Sequence, residues 1–207
     1  MDPTTLNCTL TPETTEGPYW VDEQLKRADV TEGQPGVPLK LALGVYEADA
    51  ASSAYQGAVV DIWQANALGL YSDQPQQPRA DTGGQTFLRG CQVSGDDGAV
   101  EFQTIYPGWY EGRTLHIHVR VRTFAANETT FTFTTQVFFA EETNAAVLST
   151  SPYNQRPGRD TINATDSIFL PELIAKTDGD PERGLSAAFG IRLSDLPPFE
   201  ARGEPVS

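Results

Sequence analysis

The stretch GRTLHIHVRV, residues 112 to 121, contains both histidines of the chain, His116 and His118. In a strand, side chains two residues apart point the same way. The two imidazoles therefore share one face, with Ile117, Val119 and Val121 on the other. Two imidazoles so placed can chelate one metal ion. They can equally be two ordinary polar residues on a wetted sheet face, and spacing alone leaves both readings open. Two ligands do not complete a coordination shell. No Asp or Glu is conspicuously spaced with the pair, and the two cysteines, Cys8 and Cys91, are far from each other in sequence. Tyrosines beside turn residues are available: Tyr71 in GLYSD, and Tyr106 and Tyr110 in YPGWYEGR. Taken singly, each reads as a corner or packing residue. A phenolate, however, is a hard anionic donor, and a bound trivalent cation pulls off the phenol proton far below its ordinary pKa of about 10. Two phenolates and two imidazoles would suit ferric iron and would serve zinc or calcium poorly.

Such groups need strands to carry them, and the rest of the chain supplies strands. Leu39 to Ala48 puts Leu39, Leu41, Leu43 and Val45 on one face. Ala58 to Ala65 is mostly apolar and reads as a central strand. GAVEFQTI follows a GDDG turn; LHIHVRVRT and TTFTFTTQVFF are rich in β-branched and aromatic residues; a last strand is expected at Ser186 to Leu193. Helical pattern is confined to Asp22–Arg27, to EETNAAVLS around Glu141 and to LPELIAK from Leu170. With 18 Gly and 15 Pro as punctuation, the fold class expected is all-β: an antiparallel β-sandwich with short helices in loops. One domain over residues 1–207 is the default, with residues 1–10 as an N-terminal arm and 196–207 as an extended, mobile tail. Gln74 to Gln85 reads as an exposed loop.

Net charge is -14, from 28 acidic and 14 basic residues. Such a surface repels phosphate backbones and anionic lipid, so neither nucleic acid nor membrane is an expected partner. Only Lys26, Lys40 and Lys176 are lysines, which suggests a high-GC bacterial source. The acidic, Thr-, Ala- and Gly-rich composition points to a secreted protein. The stretch after Met1, DPTTLNCTLTPE, has neither the basic start nor the apolar centre of a leader, so an exported chain would already have lost its own. N-x-T triplets at Asn7, Asn127 and Asn163 arise easily by chance in so Thr-rich a chain.

The motifs, taken in order, resemble the intradiol ring-cleavage dioxygenases, the non-heme iron family that includes catechol and protocatechuate dioxygenases. The resemblance runs from TPETTEGPYW (Thr11 to Trp20) through GAVVDIWQANALGLYSD (Gly57 to Asp73), FLRG (Phe87 to Gly90) and GAVEFQTIYPGWYEGRTLHIHVRV (Gly98 to Val121) to FTTQVFF (Phe133 to Phe139). It implies Fe(III) held by Tyr71, Tyr110, His116 and His118, with Tyr71 and His116 equatorial and Tyr110 and His118 axial. It implies a catecholic substrate and O2, with the ring opened between its hydroxylated carbons to a cis,cis-muconate. Tyr110 would act as base for a catechol proton, Arg113 would stabilise negative charge developing on the ring, and Gln136 would orient the arrangement. Glu16, Tyr19, Asp61 and Arg113 become candidate substrate contacts. Tyr106, at the end of a strand, reads as a packing residue. Two departures stand out: no helical dimerisation segment precedes TPETTEGPYW, and Gln64 replaces the histidine that usually follows the tryptophan of D-x-W-H-A. The second puts in question the polar contact that histidine makes but not the metal site; the chain resembles most the small extracellular members, in which a Cys8–Cys91 disulfide could tie the N-terminal arm to the sheet. The oligomeric state stays open, a dimer included. The rival reading is a non-catalytic, transthyretin-like or carbohydrate-binding sandwich, with Tyr71, Trp109 and Tyr110 as an aromatic surface.

Overall fold

Alternation becomes strand throughout the computed structural model, which describes residues 9–49, 51–125 and 128–198. The strands are β1 (Pro38–Glu47), β2 (Val59–Gln64), β3 (Arg89–Val93), β4 (Ala99–Ile105), β5 (His116–Ala125), β6 (Glu128–Phe138), β7 (Lys176–Asp180) and β8 (Gly184–Leu193). One sheet has the order β4-β1-β8-β7 and the other β3-β2-β5-β6. The β1–β8 pair is parallel; the other strand pairs are antiparallel. The sandwich expected from sequence is thus present, with one parallel seam where the first strand meets the last.

The core lies between the sheets. Leu39, Leu41, Leu43 and Val45 of β1, with Phe102, Phe189 and Ile191, face Val60 and Ile62 of β2 and Ile117, Val119 and Val121 of β5. Each fully buried aliphatic side chain contributes about 1.5–3 kcal/mol. Gln64, on the core face of β2, is fully buried. Its Nε2 donates to the Ile105 carbonyl (2.8 Å), and its Oε1 accepts from Thr104 Oγ1 (3.0 Å), so this polar side chain links one sheet to the other. Tyr106 belongs to the same core, with its hydroxyl donating to Asn144 Oδ1 at 2.8 Å.

The only α-helix among the described residues, α1 (Glu141–Leu148), falls where EETNAAVLS predicts one. Two other helical expectations fail, for the same reason. At Asp22–Arg27 the backbone pairs with β3 instead of with itself: Cys91 N donates to the Leu25 carbonyl, and Arg27 N donates to the Cys91 carbonyl. In LPELIAK only a single 3-10 turn forms, at Pro171–Leu173, before Ala175 N donates to the Phe138 carbonyl beside β6. In both places a neighbouring strand edge offered better partners than one weak helical turn. β3 and β7 were not expected; both are five residues long and neither has an apolar alternation to betray it.

Cys91 is buried on β3, opposite Asp61, and has no disulfide partner among the described residues; Cys8, its expected partner, lies outside them. So do Asn7 and Asn127, whereas Asn163 is buried with its amide donating to the Phe139 carbonyl, which closes it to a glycan. Of the expected tail, Leu196 packs on the core and the Pro197 carbonyl accepts from Tyr55 Oη; residues beyond 198 are outside the described set. No helix among the described residues is long and apolar enough to cross a membrane.

Candidate functional site

Strand β5 has two different faces. Its odd residues fill the core. Its even residues, His116, His118, Arg120 and Arg122, sit on the opposite face beside Asp61 and Trp63 of β2 and Thr134 and Gln136 of β6. That face is not wetted at the histidines, which are 2% and 1% exposed. A strap from Thr11 to Leu25 covers it. Thr14 N donates to the Thr134 carbonyl, Gln136 Nε2 donates to the Thr15 carbonyl at 3.0 Å, and Trp20 lies under the Arg120 guanidinium, 4.1 Å from its ring centroid. Gly17 approaches His118 so closely that a Cβ there would stand 3.3 Å from the ring's Cε1.

The two tyrosines arrive on separate turns that are packed backbone against backbone. After β2 the chain turns at Asn66, whose side-chain oxygen accepts from Leu68 N and Leu70 N, and at Gly69, with φ +77°. After β4, Gly108 N donates to the Asn66 carbonyl at 3.1 Å. A Cβ on Gly108 would lie 2.4 Å from that carbonyl oxygen, and one on Gly69 would lie 2.1 Å from the Trp109 carbonyl. Only glycine permits this contact, which explains the glycines that precede each tyrosine. Tyr71 is then locked at its own backbone. Its N–H donates to Gln77 Oε1, and its carbonyl accepts from Gln77 Nε2 and Thr82 Oγ1. The segment read as a plain exposed loop therefore holds a site residue, and Thr82 within it is buried.

Four donor atoms converge. Tyr110 Oη lies 3.3 Å from His116 Nε2, and the two histidine Nε2 atoms are 3.1 Å apart. The Tyr71 ring meets Tyr110 edge-on at 5.5 Å and His118 at 6.0 Å between centroids. His116 Nδ1 donates to the Thr114 carbonyl at 2.7 Å, which leaves the Nε2 lone pair facing the site. Burial, reinforced by the Arg113 charge, lowers the His116 pKa to about 3, and burial with its charged neighbours holds His118 well below the usual range. Both imidazoles are thus neutral, as metal ligands must be. Burial also keeps both phenols protonated in the metal-free chain, Tyr71 most firmly.

These residues fit the ferric ion that the sequence implies. Two ligands each about 2.1 Å from an ion and at right angles stand about 3 Å apart, the separation found here. The Tyr71 hydroxyl is buried with no hydrogen-bond partner. An orphaned buried polar atom calls for an explanation, and a bound ion is one. Among the described residues no group of three His, Cys, Asp or Glu side chains converges, so carboxylates and thiols are absent from this donor set.

The other expected residues divide. Arg113 and Gln136 join the four. Arg113 Nη1 is 3.4 Å from both Tyr110 Oη and His116 Nε2, and its Nη2 donates to Gln136 Oε1. Tyr19 stacks on Tyr71, with centroids 4.4 Å apart, and meets Tyr110 edge-on. Glu16 and Asp61 are engaged elsewhere: Glu16 pairs with Arg120, and Asp61 accepts two bonds from Arg122, at 2.9 and 2.8 Å. Their charges are compensated, so neither makes the site repel an anion. Trp109 is buried beneath Arg156, whose guanidinium lies 3.7 Å from the ring centroid, and Tyr71 is buried too; the aromatic surface of the rival reading does not exist. Sequence reasoning missed Asp166, Gln77 and Thr82, which hold site residues without touching the donor cluster. No local motif marks them.

Comparison with known proteins agrees. A family profile described as Dioxygenase matches residues 14–194. Catechol 1,2-dioxygenase 1 of Acinetobacter lwoffii is 29% identical over 147 residues, a match that covers 59% of this chain and 45% of that protein. The chain therefore spans less than half the length of that relative. Among solved structures, an intradiol ring-cleavage dioxygenase from Tetranychus urticae superimposes with a TM-score of 0.81 at 32% identity, covering 91% of this chain and 96% of that one. The dioxygenase domain of a dioxygenase carbohydrate-binding protein fusion from Streptomyces sp. SirexAA-E gives 0.64 at 29% identity, covering 90% and 99%. On the profile match, the near-complete overlap with these structures and the order of the motifs, the chain belongs to the intradiol ring-cleavage dioxygenases.

Proposed function

We propose that this dioxygenase opens catechol-type diols with O2 between the two hydroxylated carbons, giving cis,cis-muconate-type products at a ferric ion held by Tyr71, Tyr110, His116 and His118. The observation that carries this reading is the convergence of two phenol oxygens and two neutral imidazoles, with the Tyr71 hydroxyl buried and unpartnered. Ferric iron bound there would supply a Lewis acid that takes both catechol oxygens and makes the ring reactive toward O2. The remaining chemistry falls to the chain. Tyr110 is the less buried of the two tyrosines, and its backbone lies on a short turn before Arg113. It is therefore the phenol free to move and to accept a catechol proton at Oη. Arg113 Nη1, 3.4 Å from that oxygen, stabilises negative charge there and on the substrate in a site sheltered from water. Gln136 fixes Nη2 of the same guanidinium. Tyr19 offers its ring edge and hydroxyl as substrate contacts beside Tyr71 and Tyr110.

With Glu16 and Asp61 paired to arginines, the site does not discriminate against a carboxylated catechol by charge. Catechol, hydroxyquinol, protocatechuate and larger lignin-derived catechols are all included in the proposal. An extracellular setting with a Cys8–Cys91 bond also belongs to it, supported by composition alone. The test is oxygen uptake by the iron-loaded chain against this panel, with product identification. A muconate-type product and one O2 consumed per ring are expected. Cleavage beside the hydroxyls, or no uptake with any catechol, would sink the reading.

A further inference from the structure

Among the described residues, Asp166 is the one buried carboxylate that pairs with Arg113, and nothing in its surroundings in sequence announces it. It follows a 3-10 turn at Asn163–Thr165, and its side chain is 0% exposed. One oxygen, Oδ2, accepts from two donors at once, Arg113 Nε at 2.9 Å and Thr114 N at 2.8 Å. The other, Oδ1, accepts from Ile168 N at 2.8 Å. Burial alone would raise this carboxyl, but the bonds from Ile168 and Thr114 and the Arg113 charge more than reverse that and hold it below the ordinary carboxylate range.

We propose that Asp166 is a positioning residue of the site, acting through Arg113 and Thr114 and touching neither the donor cluster nor substrate; this rests on the function proposed above. The geometry supplies two routes from the one oxygen. Anchoring Nε fixes the plane of the guanidinium, and with it the aim of Nη1 at Tyr110 Oη and His116 Nε2 and of Nη2 at Gln136 Oε1. Anchoring Thr114 N fixes a residue whose carbonyl takes the His116 Nδ1 proton at 2.7 Å, and so fixes which imidazole nitrogen faces the site. Thr114 is steadied further by Asn163 Oδ1, which its hydroxyl reaches at 2.8 Å, and by Arg159 Nη2 at 2.6 Å. A carboxylate that merely anchored its own loop would need only the Ile168 bond.

The test compares four iron(III)-loaded proteins of full length: wild type, Asp166→Asn, Arg113→Ala and the double variant. Asp166→Asn keeps the size and an oxygen acceptor and removes the charge. It should lower kcat about 10- to 100-fold, shift KM less than about threefold, and lose iron to a chelator about tenfold faster. The double variant should lose less kcat than the product of the two single losses, because the route through Arg113 is common to both changes while the route through Thr114 and His116 belongs to Asp166 alone. Wild-type kcat and iron retention in Asp166→Asn, even with a lower unfolding temperature, would make Asp166 a loop anchor and overturn the proposal. Losses that multiply in the double variant would overturn it too. If Asp166→Asn does not fold, Asp166→Glu, which keeps the charge but displaces it by one methylene, serves the same comparison. Wild-type protein that consumes no O2 with any catechol refutes the proposed function instead. Iron retention then decides alone, and equal retention in wild type and Asp166→Asn overturns the positioning role.

Discussion

Tyr71 and Tyr110 are the same chemical group in two different settings. Tyr71 is buried, its backbone is clamped by Gln77 and Thr82, and its hydroxyl has no protein partner. Tyr110 is partly exposed, and its hydroxyl lies within reach of Arg113. Replacing them should therefore have unequal effects. Tyr71→Phe should abolish iron retention, since nothing can move in to replace the lost oxygen. Tyr110→Phe should keep the metal but alter the visible tyrosinate-to-iron band and lose most of kcat. Iron content and the absorption spectrum of the two purified variants check this; identical behaviour would mean the two phenols are interchangeable. That the two histidines share a face was legible from a period of two; the two tyrosines, each readable singly as a corner residue, were picked out by the order of the family-like motifs. Asp166 was not, because it acts on Arg113 and Thr114 from some fifty residues away, and Gln77 and Thr82 were not, because only the folded loop turns them back onto the Tyr71 backbone.

At the scale of elements, the site is built where two turns and one strand meet, and the turns meet through glycine. Gly108→Ala puts a methyl group 2.4 Å from the Asn66 carbonyl oxygen and so must push the Tyr110 turn away from the Tyr71 turn. The expected cost is about 1–3 kcal/mol of stability. Iron retention should fall further than that loss alone explains, since the displacement separates two of the proposed ligands. Chemical denaturation of the metal-free variant, set beside a chelator competition with the loaded one, measures both; wild-type iron retention would show that the turns can part without moving the phenols. The same scale shows where reading strands and helices from pattern succeeded and where it stopped. Strands with clear alternation, such as β1 and β5, were legible. β3 and β7 were not, because short polar strands owe their existence to a neighbour's edge. The segment from Asp22 to Arg27 was expected to be helical for the converse reason: its own sequence is permissive, and β3 decided the matter.

Over the whole molecule, stability and chemistry occupy different layers. The interior between the sheets is mostly apolar, with polar links such as Gln64–Thr104 and Tyr106–Asn144, while the metal-type donors lie on the outer face of β5 under the N-terminal strap. Leu43→Ala, a deletion on β1 in the opposite sheet, should cost about 2–5 kcal/mol. The iron bound per folded chain should stay at the wild-type value, because no contact of the site passes through that position. Denaturation midpoints and metal analysis on the folded fraction would reveal any coupling between the layers. The fold class was legible because it follows from composition and period; the parallel β1–β8 seam was not, since no local pattern says which distant strand a strand will choose.

The division of labour along β5 has a last consequence. A slip of a single residue against β2 or β6 would turn both imidazoles and two arginines inward and three aliphatic side chains out, all in one step. Misregistered molecules are thus barred from keeping either a dry interior or a metal pocket. Under the function proposed above, uptake of iron would double as a proofreader of strand alignment.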